Sequence, residues 1–198
     1  VEDIIFISEE DSPTGEPLIV TANEVSGTVT FFGIEFDKRG FLVRLMHNND
    51  GESKLEPQDI GGRIVGGAAP FKTVVDSLRG EGTPNLLLSS GDNFLAGIAF
   101  NASLSLPDDR SYYDAEVIDS LAYDALCLGN HDFDFGPDIL EHFINDVKNT
   151  QPPFLSSNLD FSQEPGLKRL VDNGRIAAST IIEKDGEEFG VVGLTTPA

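Results

Sequence analysis

Apolar runs alternating with short polar, glycine-containing segments recur along this chain. Phe41 to Met46, Asn85 to Ser90 and Ala125 to Leu128 each read as a buried strand. Phe71, Val74, Val75 and Leu78 fall at helical spacing and predict a helix over Ala69 to Arg79. Further helices are expected over Tyr112 to Leu121 and Pro137 to Asn149. The second opens with proline and has Asp138 beside it, a favourable start for a helix. Strands separated by helices at these intervals predict an α/β fold with a mainly parallel sheet.

The remaining segments are less regular. Phe154 to Asn158 reads as a strand and turn. Ile176 to Glu183 and Phe189 to Leu194 flank Lys184-Asp-Gly-Glu187, a hairpin pattern. Gly61 to Gly67 reads as a flexible entry into the helix, and no Gly-Lys-Ser/Thr follows to make it a phosphate loop. Arg63 within it is expected to face solvent. Asn93 to Ser103 reads as a loop beside the cleft, and its Asn101-Ala-Ser103 sequon is expected to be incidental. Before Phe41, the stretches Ile4 to Ile7, Leu18 to Thr21 and Gly27 to Phe32 read as three short strands, with an acidic turn over Glu9 to Glu16. Three such strands are too few for an independent core. A boundary is expected near Asp37 to Gly40, giving a β segment over 1–40 and an α/β part over 41–198.

The polar segments that follow the strands carry the candidate chemistry. They are His47-Asn-Asn-Asp50-Gly-Glu52, Gly91-Asp92-Asn93 and Gly129-Asn130-His131-Asp132. A fourth, Ser156-Ser157-Asn158, follows the strand at Phe154. A parallel sheet builds its site just beyond the C-terminal ends of neighbouring strands. Three such ends deliver Asp50, Glu52, Asp92, Asn130 and His131. Hard oxygen donors with one imidazole suit a pair of divalent cations. Two ions about 3.5–4 Å apart can clamp the attacking and leaving oxygens of a phosphoryl displacement. Singly, each residue has an ordinary explanation as a cap or turn former; the ordered set is better explained by a metal site.

At these residues the chain resembles the calcineurin-like metallophosphoesterases, most closely the 5′-nucleotidase and bacterial alkaline-phosphatase-like branch. The family pattern D-x-H, G-D, G-N-H-D/E corresponds to Asp50-Gly-Glu52, Gly91-Asp92 and Gly129-Asn130-His131-Asp132. The resemblance covers about residues 41–198 and implies half of an αββα sandwich, with Asp50, Asp92 and Asn130 converging at one end. It implies hydrolysis of phosphate esters, such as nucleotides, by metal-activated water. Asp50 and Glu52 would hold one ion, Asp92 would bridge, and Asn130 would hold the second. The ions would be Mn, Mg, Ca or Zn. His131 would assist the leaving group, with Asp132 orienting its ring. Glu52 stands where the family has histidine, which favours harder ions over Zn. The family's later histidine motifs are absent; His47 and His142 do not replace them. The chain therefore reads as the first half of a catalytic domain, completed by the remainder of the same polypeptide, and is expected to be inactive alone. A degenerate, non-catalytic binding module is the alternative. Residues 1–40 resemble the closing blade of a propeller-like module found upstream of such enzymes in bacterial secreted proteins, which implies a periplasmic or extracellular setting.

Composition narrows the partners. Of 198 residues, 34 are Asp or Glu and 13 are Lys or Arg, a formal net charge of −21. Such a surface repels nucleic acids and anionic membranes, so neither is an expected partner. No run approaches the roughly 18 apolar residues of a membrane span, and no signal peptide is visible in a chain that begins with Val1. Cys127 is the single cysteine, so no intrachain disulfide forms, and its apolar setting argues for a structural role.

Overall fold

The computed structural model describes residues 3–7, 18–23, 28–33, 41–107 and 109–196. The chain divides into two units, Val1–Leu42 and Val43–Thr196. In the first, β1 (Asp3–Ile7), β2 (Leu18–Asn23) and β3 (Thr28–Gly33) form an antiparallel sheet in that order. The acidic turn at 9–16 and the boundary expected near 37–40 lie outside the described residues.

The second unit carries β4 (Arg44–Asn48), the short pair β5 (Gln58–Ile60) and β6 (Arg63–Val65), and α1 (Ala68–Arg79). Next come β7 (Asn85–Ser89), α2 (Ile98–Ser103), α3 (Tyr113–Leu121), β8 (Ala125–Cys127) and a 3-10 turn at His131–Phe133. The remainder is α4 (Pro137–Asp146), β9 (Phe154–Leu155), α5 (Pro165–Asp172), β10 (Ile176–Ala177) and the hairpin β11 (Ser179–Lys184) and β12 (Glu187–Val192).

Five strands pair in parallel in the order β10-β9-β8-β7-β4. This is simply chain order, with at least one helix in every connection. Right-handed crossovers then put every helix on one face. The helices touch in the matching order α1, α3, α4, α5. Alternation along the strands sorts the apolar residues. Met46, Leu87, Leu126, Phe154 and Ile176 join the helices in one core. Leu86, Ala125 and Leu155 are buried outside that cluster. The core is aromatic near the site: Phe94 packs 4.8 Å from Phe100 and 4.4 Å from Phe143, centroid to centroid. The expected α/β half-sandwich is thus observed.

Several elements differ from the sequence reading. The strand expected over Phe41 to Met46 is Arg44–Asn48, set by the pairing of Arg44 with Asn85. The Gly61–Gly67 stretch is not merely an entry loop. Gly61 and Gly62, both at positive φ, turn the β5–β6 hairpin. The stretch read as loop contains α2, anchored by Phe100 in the aromatic core. Ile176 to Glu183 is two strands: Ile176–Ala177 completes the parallel sheet, and Ser179–Lys184 pairs with β12. α4 stops at Asp146 because the Asp119 carboxylate accepts the backbone N–H groups of Lys148, Asn149 and Thr150. α5 carries Leu167 and Leu170 inward, an element the sequence reading lacks. Among the described residues no helix is long and apolar enough to cross a membrane.

Candidate phosphoester site

Three strand ends meet at the C-terminal edge of the sheet. β4 runs into residues 49–53 and β7 into 90–93, and the two loops stay paired. Asp50 N–H donates to Gly91 O (3.2 Å), Glu52 N–H to Asp92 O (2.9 Å) and Ser53 N–H to Asn93 O (3.1 Å). The Ser53 hydroxyl donates to Leu95 O and accepts from Leu95 N–H, both at 3.0 Å. The pairing holds unusual backbone. Asp50, Glu52, Ser53 and Asp92 all have φ between +46° and +53°. Such strain persists where surrounding bonds over-determine it, and it gathers at functional sites.

The third strand end joins through Asp92. Its Oδ1 accepts the His131 N–H at 2.7 Å. A Cβ on Gly129 would lie 2.2 Å from that same oxygen, so this position must be glycine. Burial raises the proton affinity of Asp92, and Asp50 and Asp134 raise it further; His131 opposes them. Asp92 therefore senses Asp50, Asp134 and His131 across the loops. The His131 Nδ1 lies 2.9 Å from Asp134 Oδ2, and this bond holds the imidazole pKa above its ordinary value.

Asp132 does not orient the His131 ring; Asp134 does. Asp132 is 3% exposed, and its Oδ2 accepts the N–H groups of Gly129 (2.8 Å) and Asp92 (3.3 Å). It pins the turn of one loop to the backbone of another. Burial raises its pKa to about 7. Asn130 directly precedes the 3-10 turn, and Thr196 Oγ1 lies 3.4 Å from its Oδ1. The fourth motif serves the tail. Asn158 exchanges two hydrogen bonds with the Thr195 backbone, at 2.9 and 2.7 Å, and Thr195 Oγ1 donates to Leu128 O at 2.7 Å. Sequence reasoning misses Thr195 and Thr196; only the Gly193-Leu-Thr-Thr turn after β12 marks them.

Asp50 accepts from Asn49 Nδ2, and Glu52 Oε2 pairs with Lys54 Nζ at 2.5 Å. His47 lies within β4 and meets Ser90 Oγ at 2.7 Å rather than a member of the acid cluster. Among the described residues, no three or more His, Cys, Asp or Glu side chains stand as a ready metal cage. The donor chemistry nonetheless fits divalent ions. Asp50, Glu52 and Asp92 lie on the paired loops, Asp92 senses Asp50, Asp134 and His131, and Lys54 is the cation paired with Glu52.

One further acid lies behind the loops. Asp114, in the first turn of α3, is 2% exposed, and neither carboxylate oxygen has a hydrogen-bond partner among the described residues. Burial pushes its pKa up to about 6, although the neighbouring Ser53 hydroxyl partly opposes this. The folded state therefore holds this proton more tightly than the unfolded chain. Stability falls as pH rises from about 4 through about 6, and the penalty is complete above that. Asp114→Asn is expected to stabilise the metal-free protein by roughly 3 kcal/mol at pH 8 and hardly at all at pH 4. Urea unfolding at the two pH values measures this; equal stabilities at pH 8 would mean that the carboxylate is already compensated.

The comparisons agree with this geometry. Residues 46–192 match the model of the calcineurin-like phosphoesterases. The chain is 30% identical over 163 residues to an apyrase of Tabanus yao, covering 79% of this chain and 27% of that protein. It is 32% identical over 166 residues to a 5′-nucleotidase of Diplobatis ommata, covering 79% and 26%. Among solved structures, a 5′-nucleotidase precursor from Thermus thermophilus superposes with a TM-score of 0.66 at 34% identity, over 77% of this chain and 28% of that one. The chain thus spans little more than a quarter of each relative's length. Paired loops at the C-terminal edge of a sequential parallel sheet and a match over most of the chain lead to one assignment: this chain belongs to the calcineurin-like phosphoesterase family.

Proposed function

We propose that the protein hydrolyses phosphate monoesters, nucleotides among them, at the edge where the three loops meet. The backbone pairing of residues 50–53 with 91–93, locked to His131 through Asp92, carries this reading. Asp50 and Glu52 would hold one divalent ion, Asn130 a second, and Asp92 would face both. Mn, Mg, Ca and Zn are the candidates. Bound there, the ions would supply Lewis acidity to a phosphoryl oxygen and to the attacking water.

The chain's own residues do the rest. Asp134 fixes His131 through Nδ1, which leaves Nε2 to carry a proton. As the P–O bond to the leaving group breaks, that proton passes to the leaving oxygen. Asp132 keeps the loops in register and takes no part in proton transfer. Leu45, Ile181, Val192 and Leu194 are each more than half exposed. An apolar surface of this kind is the seat expected for the remainder of the polypeptide. The N-terminal sheet is read as the end of an upstream module, and the whole protein as extracytoplasmic.

The Lys54–Glu52 pair favours a second reading, a non-catalytic module whose first metal position is closed by an internal cation. Assay of the whole protein with p-nitrophenyl phosphate and AMP separates the two. Manganese-dependent release of phosphate, abolished by EDTA and restored by Mn²⁺, is the expected result. Residues 1–198 alone should turn over poorly and bind at most one ion tightly. No turnover in the whole protein under any divalent ion would favour the non-catalytic module.

A further inference from the structure

Behind the metal-facing loops lies a cavity of about 250 Å³ between α1 and α3. Its walls include Phe71, Val117 and Leu121, and its polar groups include Asn48, Asn93, Lys54 and Asp114. Two observations in it belong together. Asp114 is nearly fully buried with both oxygens unpartnered among the described residues. Lys54 lines the same cavity, but its ammonium is drawn out to Glu52 at 2.5 Å.

An uncompensated buried carboxylate is costly, and a charge is rarely buried without a partner. The start of α3 offsets part of that cost, since an anion is favoured at a helix N-terminus. Ser53 adds only partial relief, because its hydroxyl proton is directed to Leu95 O. Neither asparagine amide of the lining donates to Asp114, and both hold their Oδ1 atoms elsewhere. Asn48 Oδ1 accepts from Tyr123 OH at 2.8 Å, and Asn93 Oδ1 accepts from Ser89 Oγ at 3.0 Å. Lys54 is the cation within the lining, on a flexible four-carbon stem that is largely exposed.

We propose that Asp114 is the alternate seat of Lys54: when Glu52 turns to a divalent ion, the Lys54 ammonium leaves Glu52 and enters the cavity to pair with Asp114. The proposal rests on Glu52 being a metal ligand, as read above. In the metal-free state Lys54 neutralises Glu52 and Asp114 stands alone. In the loaded state the ion neutralises Glu52 and Lys54 neutralises Asp114. The net charge of the three side chains is unchanged; only the pairing moves. Lys54 and Asp114 are then positioning residues that never touch substrate. They let a carboxylate serve at the histidine position of the family pattern, because the lysine that guards it has another partner.

A double-mutant cycle on Mn²⁺ affinity in the whole protein, followed by calorimetry, tests this. Asp114→Asn is close to isosteric and removes an unpartnered charge, so it should fold. It should weaken Mn²⁺ binding about tenfold. Lys54→Gln loses one pairing in each state, so its affinity should stay within about threefold of wild type. The double variant should match Lys54→Gln alone, because without the lysine Asp114 has nothing to receive. An equal loss from Asp114→Asn in both backgrounds, or no loss in either, would overturn the proposal. A crystal structure of the Mn²⁺-loaded wild type gives an independent readout. Lys54 Nζ should lie within hydrogen-bonding distance of Asp114, and a lysine still on Glu52 would overturn the proposal without any variant. Asp50→Asn and Asp92→Asn serve as controls. If they leave Mn²⁺ affinity untouched, the metal-site reading itself falls, and the relay with it.

Discussion

Asp92→Asn in the whole protein should lower phosphomonoester turnover by about a thousandfold or more and leave the melting temperature within a few degrees of wild type. The substitution keeps an oxygen that accepts the His131 N–H, so the junction between the second and third loops survives. What it removes is the negative charge on the residue facing both proposed ions. His131→Ala should act on turnover in the same direction by removing the proton donor. Asp132→Asn makes the useful contrast. Its amide oxygen still accepts the Gly129 and Asp92 N–H groups, and a buried charge disappears. Turnover should stay within about tenfold of wild type. Steady-state rates and thermal melts of the three variants decide the matter. Undiminished turnover in Asp92→Asn would remove the site from this edge of the sheet. A collapse of turnover in a folded Asp132→Asn would return Asp132 to the chemistry.

Gly91→Ala should be among the most damaging glycine-to-alanine changes at the described residues, costing ~4 kcal/mol or more. Gly91 has φ +103°, a conformation that L side chains rarely adopt. Its added Cβ would lie 2.2 Å from Gly129 N, 2.6 Å from Gly129 Cα and 3.0 Å from Cys127 O. All three are backbone atoms, so no rotamer change relieves the clash. Relief requires parting the second loop from the third, and that breaks the Asp92–His131 bond. Turnover should therefore be lost even where the fold persists. Gly61 and Gly62 are also at positive φ, but nothing lies within 4 Å of either, so substitutions there meet only the conformational penalty. Urea unfolding of Gly91→Ala measures the effect, and a loss below about 1 kcal/mol would mean the loops tolerate separation.

Much of this is legible in the sequence because two kinds of signal agree. Apolar runs mark the strands, and the polar residues directly after them mark the site; the G-N-H-D segment fixes the third loop. Residues whose role depends on non-local contact are not legible. Asp134 reads as an ordinary acid in Asp132-Phe-Asp134, and only the 3-10 turn brings it to the His131 ring. Asp132 is the natural choice for the ring because it is adjacent in sequence, but in the fold it points inward to two amides. α2 has too short an apolar pattern to show a period, and its stability comes from Phe100 among distant aromatic rings. Asp114 sits beside Ala115 and Val117 on a helix whose burial the pattern implies, yet no pattern says that an acid at the edge of an apolar stripe is buried alone.

The sheet's order in space is also its order in the chain: β4, β7, β8, β9, β10. No strand waits for a later one to be inserted beside it. During synthesis each new strand finds its neighbour already laid down, and the helix between them closes over a finished pair. The topology therefore permits this sheet to grow from β4 toward β10 as the chain is made. The three site loops are all in place once β9 has docked, before the terminal hairpin is made.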